Sequence, residues 1–377
     1  MKIVIAPDSF KGSLSATEAA KIMEKAVRTL LPAATIVSIP MADGGEGSSD
    51  VLIYNKKSEK IPIVVTGPLG NRIHTYYYIV DGKKAIIENA MISGLTLVPH
   101  HLRHPNSTTT YGLGEAINHA LHQEVEEIVV CLGGSSTNDG GLGMLQALGA
   151  DFLDDRGQTV SRFGEGLFDI RHVSFAGLED KLEGVRLTAV CDVENPLLGE
   201  TGCSHTFGKQ KGLNHAEIIK YDKQLTYYSE KIQAEIDVNY VKEPHTGSAG
   251  GLGFALRVIG AKLEKGAPYI AKEISLETHL KEATFVLTGE GKTDEQTMFG
   301  KAPYYIASLA NKYQIPVYLI SGSITNRSAW RHIYSGIFSM VNEPMSIEKS
   351  MGEAEHLLHE QTIDLIYFLR KLIERKE

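Results

Sequence analysis

The segment at residues 127–150, EIVVCLGGSSTNDGGLGMLQALGA, constrains the fold more than any other part of this chain. Ile128, Val129 and Val130 form a short β-branched run, which suits a strand covered on both faces. Gly133 and Gly134 then turn the chain with no Cβ in the way of a ligand, and Ser135, Ser136, Thr137 and Asn138 add hydroxyl and amide groups. A helix opening near Asp139 would turn its unpaired N–H groups and positive dipole end to the same space. Two readings fit: a phosphate cradle from Gly133 to Thr137, or an ordinary strand-to-helix connection, which glycine and serine also favour.

Three further segments repeat the design. Ile3 to Ala6 is a strand that ends in Pro7-Asp8-Ser9-Phe10-Lys11-Gly12-Ser13, and a helix follows from Ser15, with Glu18 completing a capping box. Lys11 then adds a full charge just ahead of a helix N-terminus. Ile36 to Ile39 leads to Met41-Ala42-Asp43-Gly44-Gly45-Glu46-Gly47, two carboxylates on a glycine-rich turn that suit Mg2+ or a substrate hydroxyl. Phe285 to Leu287 runs into Thr288-Gly289-Glu290-Gly291-Lys292-Thr293-Asp294, again acids, lysine and glycine after a strand. Taken singly, each is matched by a capped turn with solvated charges. Four such strand ends in one α/β chain point to a ligand, because these sheets bind beyond the carboxyl ends of their strands.

Neither standard nucleotide signature is present. Gly291-Lys292-Thr293 mimics the end of a P-loop, but its earlier glycine falls at Val286; a dinucleotide fingerprint starting at Gly289 puts Asp294 at its third glycine. Net charge is −8, which gives no general attraction to nucleic acid or anionic membrane. The N-terminus enters a strand at once and no apolar run approaches a membrane span, so the expectation is a cytoplasmic protein with reduced Cys131, Cys191 and Cys203. His100, His101 and His104 lack helical spacing and read as a solvated loop.

A length of 377 residues allows two cores. Strands at about 2–6, 35–39 and 60–65 with intervening helices make a βαβαβ half of a parallel sheet. After Thr66-Gly67-Pro68-Leu69-Gly70 a hairpin pattern appears, Tyr76 to Val80 and then Ala85 to Ile87. Strand and helix alternation returns from about residue 275. The expected fold is therefore two α/β domains: a discontinuous Rossmann-like parallel-sheet domain, 1–66 and 275–377, with a second α/β domain, 67–274, inserted into it. Six parallel strands and a topological switch near Asp8, Asp43 and Thr288 are expected in the first. In the insert, Asp192 and Asn195 follow a strand, where they position a reacting hydroxyl or form an Asx-type turn; Lys209 and Lys211 sit on a flexible loop; and Gly250 and Gly251 open a helix, as an anion cradle or a tight packing turn.

These segments closely resemble the type 1 glycerate kinase family: APDSFKGSLSA, MADGGEG, TGPLG, GGSSTNDGGLGMLQALGA, CDVENPL, FGKQKG, GSAGGLG and TGEGKTDEQT, spread over nearly the whole chain. The resemblance implies ATP-dependent phosphorylation of D-glycerate with Mg2+, to 2-phosphoglycerate ahead of 3-phosphoglycerate, on a Rossmann-like domain that carries a second α/β domain. Ser48, Lys209, Ser248 and Cys203 depart from the family's usual residues, and none of these removes a candidate catalytic group.

Phosphoryl transfer needs positioning and charge neutralisation more than covalent help. On chemistry, Asp192, ahead of Asp43, is the expected proton acceptor, and Lys11 and Lys211 bind the glycerate carboxylate or the transferred group. Asp8, Ser9 and Asn195 complete the substrate set. Gly133, Gly134, Ser135, Ser136 and Thr137, with Gly250, Gly251, Thr288 and Gly289, receive ATP, and Glu46, Glu290 or Asp294 hold Mg2+, with both ligands in the cleft between the domains. The partners expected are therefore these small molecules, with no nucleic acid or membrane; the chain itself is a monomer or a homodimer. A non-catalytic sensor of small acids is the alternative, and the missing fingerprint disfavours a nicotinamide-dependent dehydrogenase.

Overall fold

A computed structural model of the chain describes residues 1–178 and 181–374. Its strands are β1 (Lys2–Ile5), β2 (Thr35–Ser38), β3 (Ser58–Thr66), β4 (Arg72–Val80), β5 (Lys84–Glu88), β6 (Glu127–Cys131), β7 (Asp151–Leu153), β8 (His172–Ser174), β9 (Arg186–Cys191), β10 (Lys262–Lys265), β11 (Phe285–Thr293), β12 (Val317–Ile324) and β13 (Gly336–Ser339). They divide between two compact units. Unit 1 is Met1–Asp43, Asp50–Tyr54 and Ala267–Glu377; unit 2 is Gly44–Ser49 and Asn55–Gly266.

Unit 1 is built on a parallel sheet of order β13-β12-β11-β1-β2. Its central strands are apolar on both faces, as a doubly covered sheet requires: Ile3, Val4, Ile5, Val286 and Leu287 are all fully buried. Helix Ala16–Leu30 opens with the expected capping box between Ser15 and Glu18 and packs its apolar face with helix Ala354–Glu374 over that sheet. From β1 the chain moves outward to β2, whereas from β11 it moves the other way to β12 and β13. The topological switch therefore falls between β1 and β11, at the carboxyl ends that carry Asp8 and Glu290.

Unit 2 carries a mixed sheet of order β10-β9-β6-β5-β4-β3. Strands β5, β6, β9 and β10 run parallel, and β3 and β4 extend the sheet as antiparallel strands. Its core joins Ile128 and Val130 of β6 to Leu113, Ile117, Leu145 and Leu225 of the covering helices.

Three expectations change here. The strand at 60–65 lies in the second sheet, not the first, so the parallel sheet has five strands rather than six. Pro62 explains the placement: it cannot donate to a ladder on both sides, and β3 is an edge strand. The Thr66–Gly70 segment is the turn of the β3–β4 hairpin, closed by Gly67 N–H donating to Asn71 O at 2.7 Å, and the chain leaves unit 1 earlier, after Tyr54. Unit 2 also claims Gly44–Ser49, so the MADGGEG segment is divided between the units. Finally, the helix expected near Asp139 spans Leu142–Leu148 instead, because Gly140 and Gly141 hold left-handed φ of 62° and 77° ahead of it.

Candidate functional sites

At the β1/β11 switch of unit 1, burial surrounds Asp8 and Glu290, which are 9% and 4% exposed. Asp8 N–H donates to Gly289 O at 2.8 Å, and its carboxylate accepts the Ser9 N–H at 2.6 Å. Burial holds the Asp8 carboxyl well above the usual range, and the nearby Asp43 and Glu290 charges add to this. Burial likewise pushes Glu290 up to about 7, opposed by Lys301 and by the Thr293 and Thr297 hydroxyls, each donating to Oε1 at 2.9 Å. This is a cluster short of positive charge. Thr288 and Gly289 do not face a ligand: Thr288 Oγ1 donates to Ala6 O at 2.8 Å, and a Cβ on Gly289 would stand 2.5 Å from Ile320 O. Asp294 pairs with Lys292 at 2.9 Å. Lys11 is exposed.

In unit 2, the carboxyl ends of β5, β6 and β9 bring together Glu88, the loop at 132–138, and Asp192. Glu88 staples the Gly44–Ser49 piece: its carboxylate accepts Gly47 N–H at 2.8 Å, Ser49 N–H at 3.0 Å and Ser49 Oγ at 2.7 Å. Gly133 N–H donates to Gly44 O, and any Cβ on Gly133 would stand 2.4 Å from Gly45 Cα and 3.1 Å from Asp192 Oδ2, so only glycine lets these loops meet. Asp192 is exposed and Glu46 is exposed.

The expected phosphate cradle does not form. The N–H groups of Gly133, Ser136 and Thr137 are committed to Gly44 O, Ser93 O and Ser135 Oγ. Those beyond are held by Asp139, whose carboxylate accepts Thr110 N–H and Oγ1 at 2.9 and 2.8 Å and Gly141 N–H at 3.1 Å. An acid buried at this turn thus does internally what a phosphate would have done. Gly250 and Gly251 form a packing turn with left-handed backbone; a Cβ on Gly250 would lie 2.1 Å from Thr137 O. The Asn195 amide donates to Thr201 O at 2.7 Å and Thr206 Oγ1 at 3.2 Å, which makes it a turn organiser.

Lys211 is the feature that the loop reading missed. It ends a 3-10 turn, Lys209–Lys211, is 2% exposed, and donates from Nζ to Thr137 O at 2.6 Å. No salt bridge to it forms among the described residues, and burial pushes it down to about 8, against the pull of Cys203, Asp139 and Asp192. A buried ammonium held by a carbonyl alone is a place for an anion.

Residues 3–370 match the model of the glycerate kinase family. The chain belongs to that family. Glycerate 2-kinase of Escherichia coli K12 is 41% identical over 358 residues, 94% of each chain, and glycerate kinase of Bacillus subtilis 168 is 37% identical over 369 residues, 97% of each. A solved structure from Salmonella typhimurium LT2 assigned as a glycerate kinase 2 superposes with a TM-score of 0.87 at 38% identity, covering 99% of both chains. In this glycerate kinase family member, residues absent from the sequence reading also matter. Lys301 begins helix Ala302–Asn311 and is the cation that acts on both Asp8 and Glu290; a lysine ahead of an alanine-proline helix start was its only signal. Glu88 ends a strand with no turn chemistry around it and gave none. Among the described residues no cluster of three His, Cys, Asp or Glu side chains suits a metal, and no helix is long and apolar enough to cross a membrane.

Proposed function

We propose that this kinase, of the type 1 kind, works in the cytoplasm and transfers the γ-phosphoryl group of ATP to the 2-hydroxyl of D-glycerate, giving 2-phosphoglycerate. Lys211 carries the reading: a buried cation without a protein carboxylate bonded to it suits a small carboxylate substrate, and unit 2 presents Asp192 at the end of the neighbouring strand, within electrostatic reach of the same lysine. Asp192 accepts the hydroxyl proton as the oxygen attacks. Unit 1 takes the nucleotide phosphates, with Lys301 and the exposed Lys11 as counter-charges.

Mg2+ fits the unit 1 acids. Their donors are hard carboxylate oxygens, and this ion is typically held by one or two carboxylates with phosphates and water, which agrees with the absence of a three-ligand cage among the described residues. Asp8, Asp43 and Glu290 would hold it, in place of the Glu46 and Asp294 expected from sequence. When bound it supplies charge neutralisation for the phosphates.

The test is ADP release measured with and without D-glycerate, with the product identified by 31P NMR. Glycerate-dependent ADP and 2-phosphoglycerate are expected. Binding of glycerate with no ADP would replace the kinase with the sensor reading, and 3-phosphoglycerate would reassign the hydroxyl.

A further inference from the structure

The reading of Lys211 as the glycerate-binding cation raises the question of what else meets the substrate there, and the answer below rests on that reading. Asn138 is fully buried just beyond the carboxyl end of β6. Its Nδ2 donates to Ser204 Oγ at 2.9 Å, and Ser204, also fully buried, lies in the short helix Cys203–Phe207. Its Oδ1, by contrast, has no hydrogen-bond partner among the described residues. A buried amide oxygen left in this way is unfavourable, and folded chains keep few of them without a functional reason or a bound molecule.

The surroundings say which. Thr137, the residue before Asn138, supplies the carbonyl that holds Lys211 Nζ at 2.6 Å, and Cys203 Sγ lies 4.0 Å from the Ser204 hydroxyl that tethers the amide. The amide and the ammonium therefore belong to one buried cluster at the strand ends where α/β sheets take ligands. Glycerate has a carboxylate and two hydroxyls. The carboxylate suits Lys211 and one hydroxyl is consumed by transfer, which leaves one hydroxyl in need of an acceptor. We propose that Asn138 is a specificity-determining residue whose Oδ1 accepts a hydrogen bond from the glycerate hydroxyl that is not phosphorylated. The Ser204 tether sets the amide in the orientation that offers the oxygen.

A site that hydrogen-bonds a substrate hydroxyl rejects the analogue lacking it far more strongly than an apolar pocket does. The experiment compares kcat/KM for D-glycerate with kcat/KM for lactate and 3-hydroxypropionate, each of which lacks one hydroxyl, in the wild type, Asn138→Ala and Ser204→Ala. The wild type should prefer D-glycerate by about 10²-fold or more over whichever analogue it still phosphorylates. Asn138→Ala should shrink that preference to about 10-fold or less, through loss on D-glycerate alone, with the KM for ATP within about threefold of normal. Equal losses on both substrates would make Asn138 a support for its loop and overturn the proposal, as would an unchanged preference. If Asn138→Ala does not fold, Ser204→Ala keeps the amide and frees it; a smaller loss of preference supports the proposal, and none overturns it. A wild type that releases no ADP with D-glycerate overturns the glycerate reading and this inference together, whereas an active wild type with an insensitive Asn138→Ala overturns this inference alone.

Discussion

The two units solve opposite electrostatic problems at matching places. At the strand ends of unit 1, carboxyl groups crowd into a buried switch point, where Asp8 and Glu290 are both held above their ordinary range. At the strand ends of unit 2, a single ammonium is buried with a carbonyl as its hydrogen-bond partner and is held below its ordinary range. The shared cause is burial, which disfavours whichever form is charged. The difference teaches that the same architecture can be primed for a cation in one unit and for an anion in the other, and that the strand-end chemistry, not the sheet, decides which.

The largest way to break the comparison is at Asp192. Asp192→Asn should lower kcat by about 10²-fold or more while leaving ATP binding nearly intact, since it removes the base from the anion side alone. Near-normal turnover there with an inactive Asp43→Asn would move the base into unit 1. Lys211→Met should come next: kcat/KM for D-glycerate falls on the order of 10²-fold and KM for ATP changes little, because a lost charge-assisted contact costs about 1.5–3 kcal/mol. Equal damage to both substrates in steady-state kinetics would make Lys211 structural.

The pH profile sharpens the contrast further. Glu290 must lose its proton to serve a cation and Lys211 must keep its own to serve an anion, so turnover should be highest between their values of about 7 and about 8. Glu290→Gln should abolish the acid limb and lower turnover at the optimum by about 10-fold, as removal of one charged contact does. Unfolding has the opposite signs. Folded Glu290 holds its proton more tightly than the ordinary 4.5, so between 4.5 and about 7 this group alone lowers stability as pH rises; folded Lys211 holds its proton less tightly than the ordinary 10.5, so between about 8 and 10.5 it alone raises stability as pH rises. Denaturant titrations of Glu290→Gln and Lys211→Met against the wild type would show each slope vanish in its own window.

The smallest effect should be at Glu88, which takes part in neither charge pattern. Glu88→Ala strands two N–H groups and a hydroxyl, and should cost about 1–3 kcal/mol in chemical denaturation. A shift in the KM for glycerate larger than in stability would give the staple a place in the substrate site.

Much of this was legible in the sequence because it rests on local pattern. The β-branched runs at Ile3 to Ile5 and Ile128 to Val130 mark doubly covered strands, and Ser15 with Glu18 marks the helix start. Asp8 and Glu290 fall at the switch because an acid just past a parallel strand has little other place to go. What failed was partner choice. The glycine-rich loop after β6 has the composition of a phosphate cradle, but whether its N–H groups are free depends on Asp139 and Gly44, the latter far away in sequence. Lys211 reads as a loop lysine until a carbonyl from residue 137 closes on it. The β3 strand was placed by spacing, yet its partner was chosen by the hairpin turn beyond it.

The Gly44–Ser49 piece has a consequence for how this protein can be divided. The chain passes between the units at 43/44, 49/50, 54/55 and 266/267, and a few residues of the early chain complete the later unit. A fragment of residues 55–266 would carry its whole six-stranded sheet but would leave the Glu88 carboxylate and the Gly133 N–H without their partners. The units are therefore not exchangeable cassettes. Recombination between relatives that swaps the insert must carry residues 44–49 with it, so these six residues and the body they complete are expected to be inherited together despite the stretch of unit 1 that separates them in sequence.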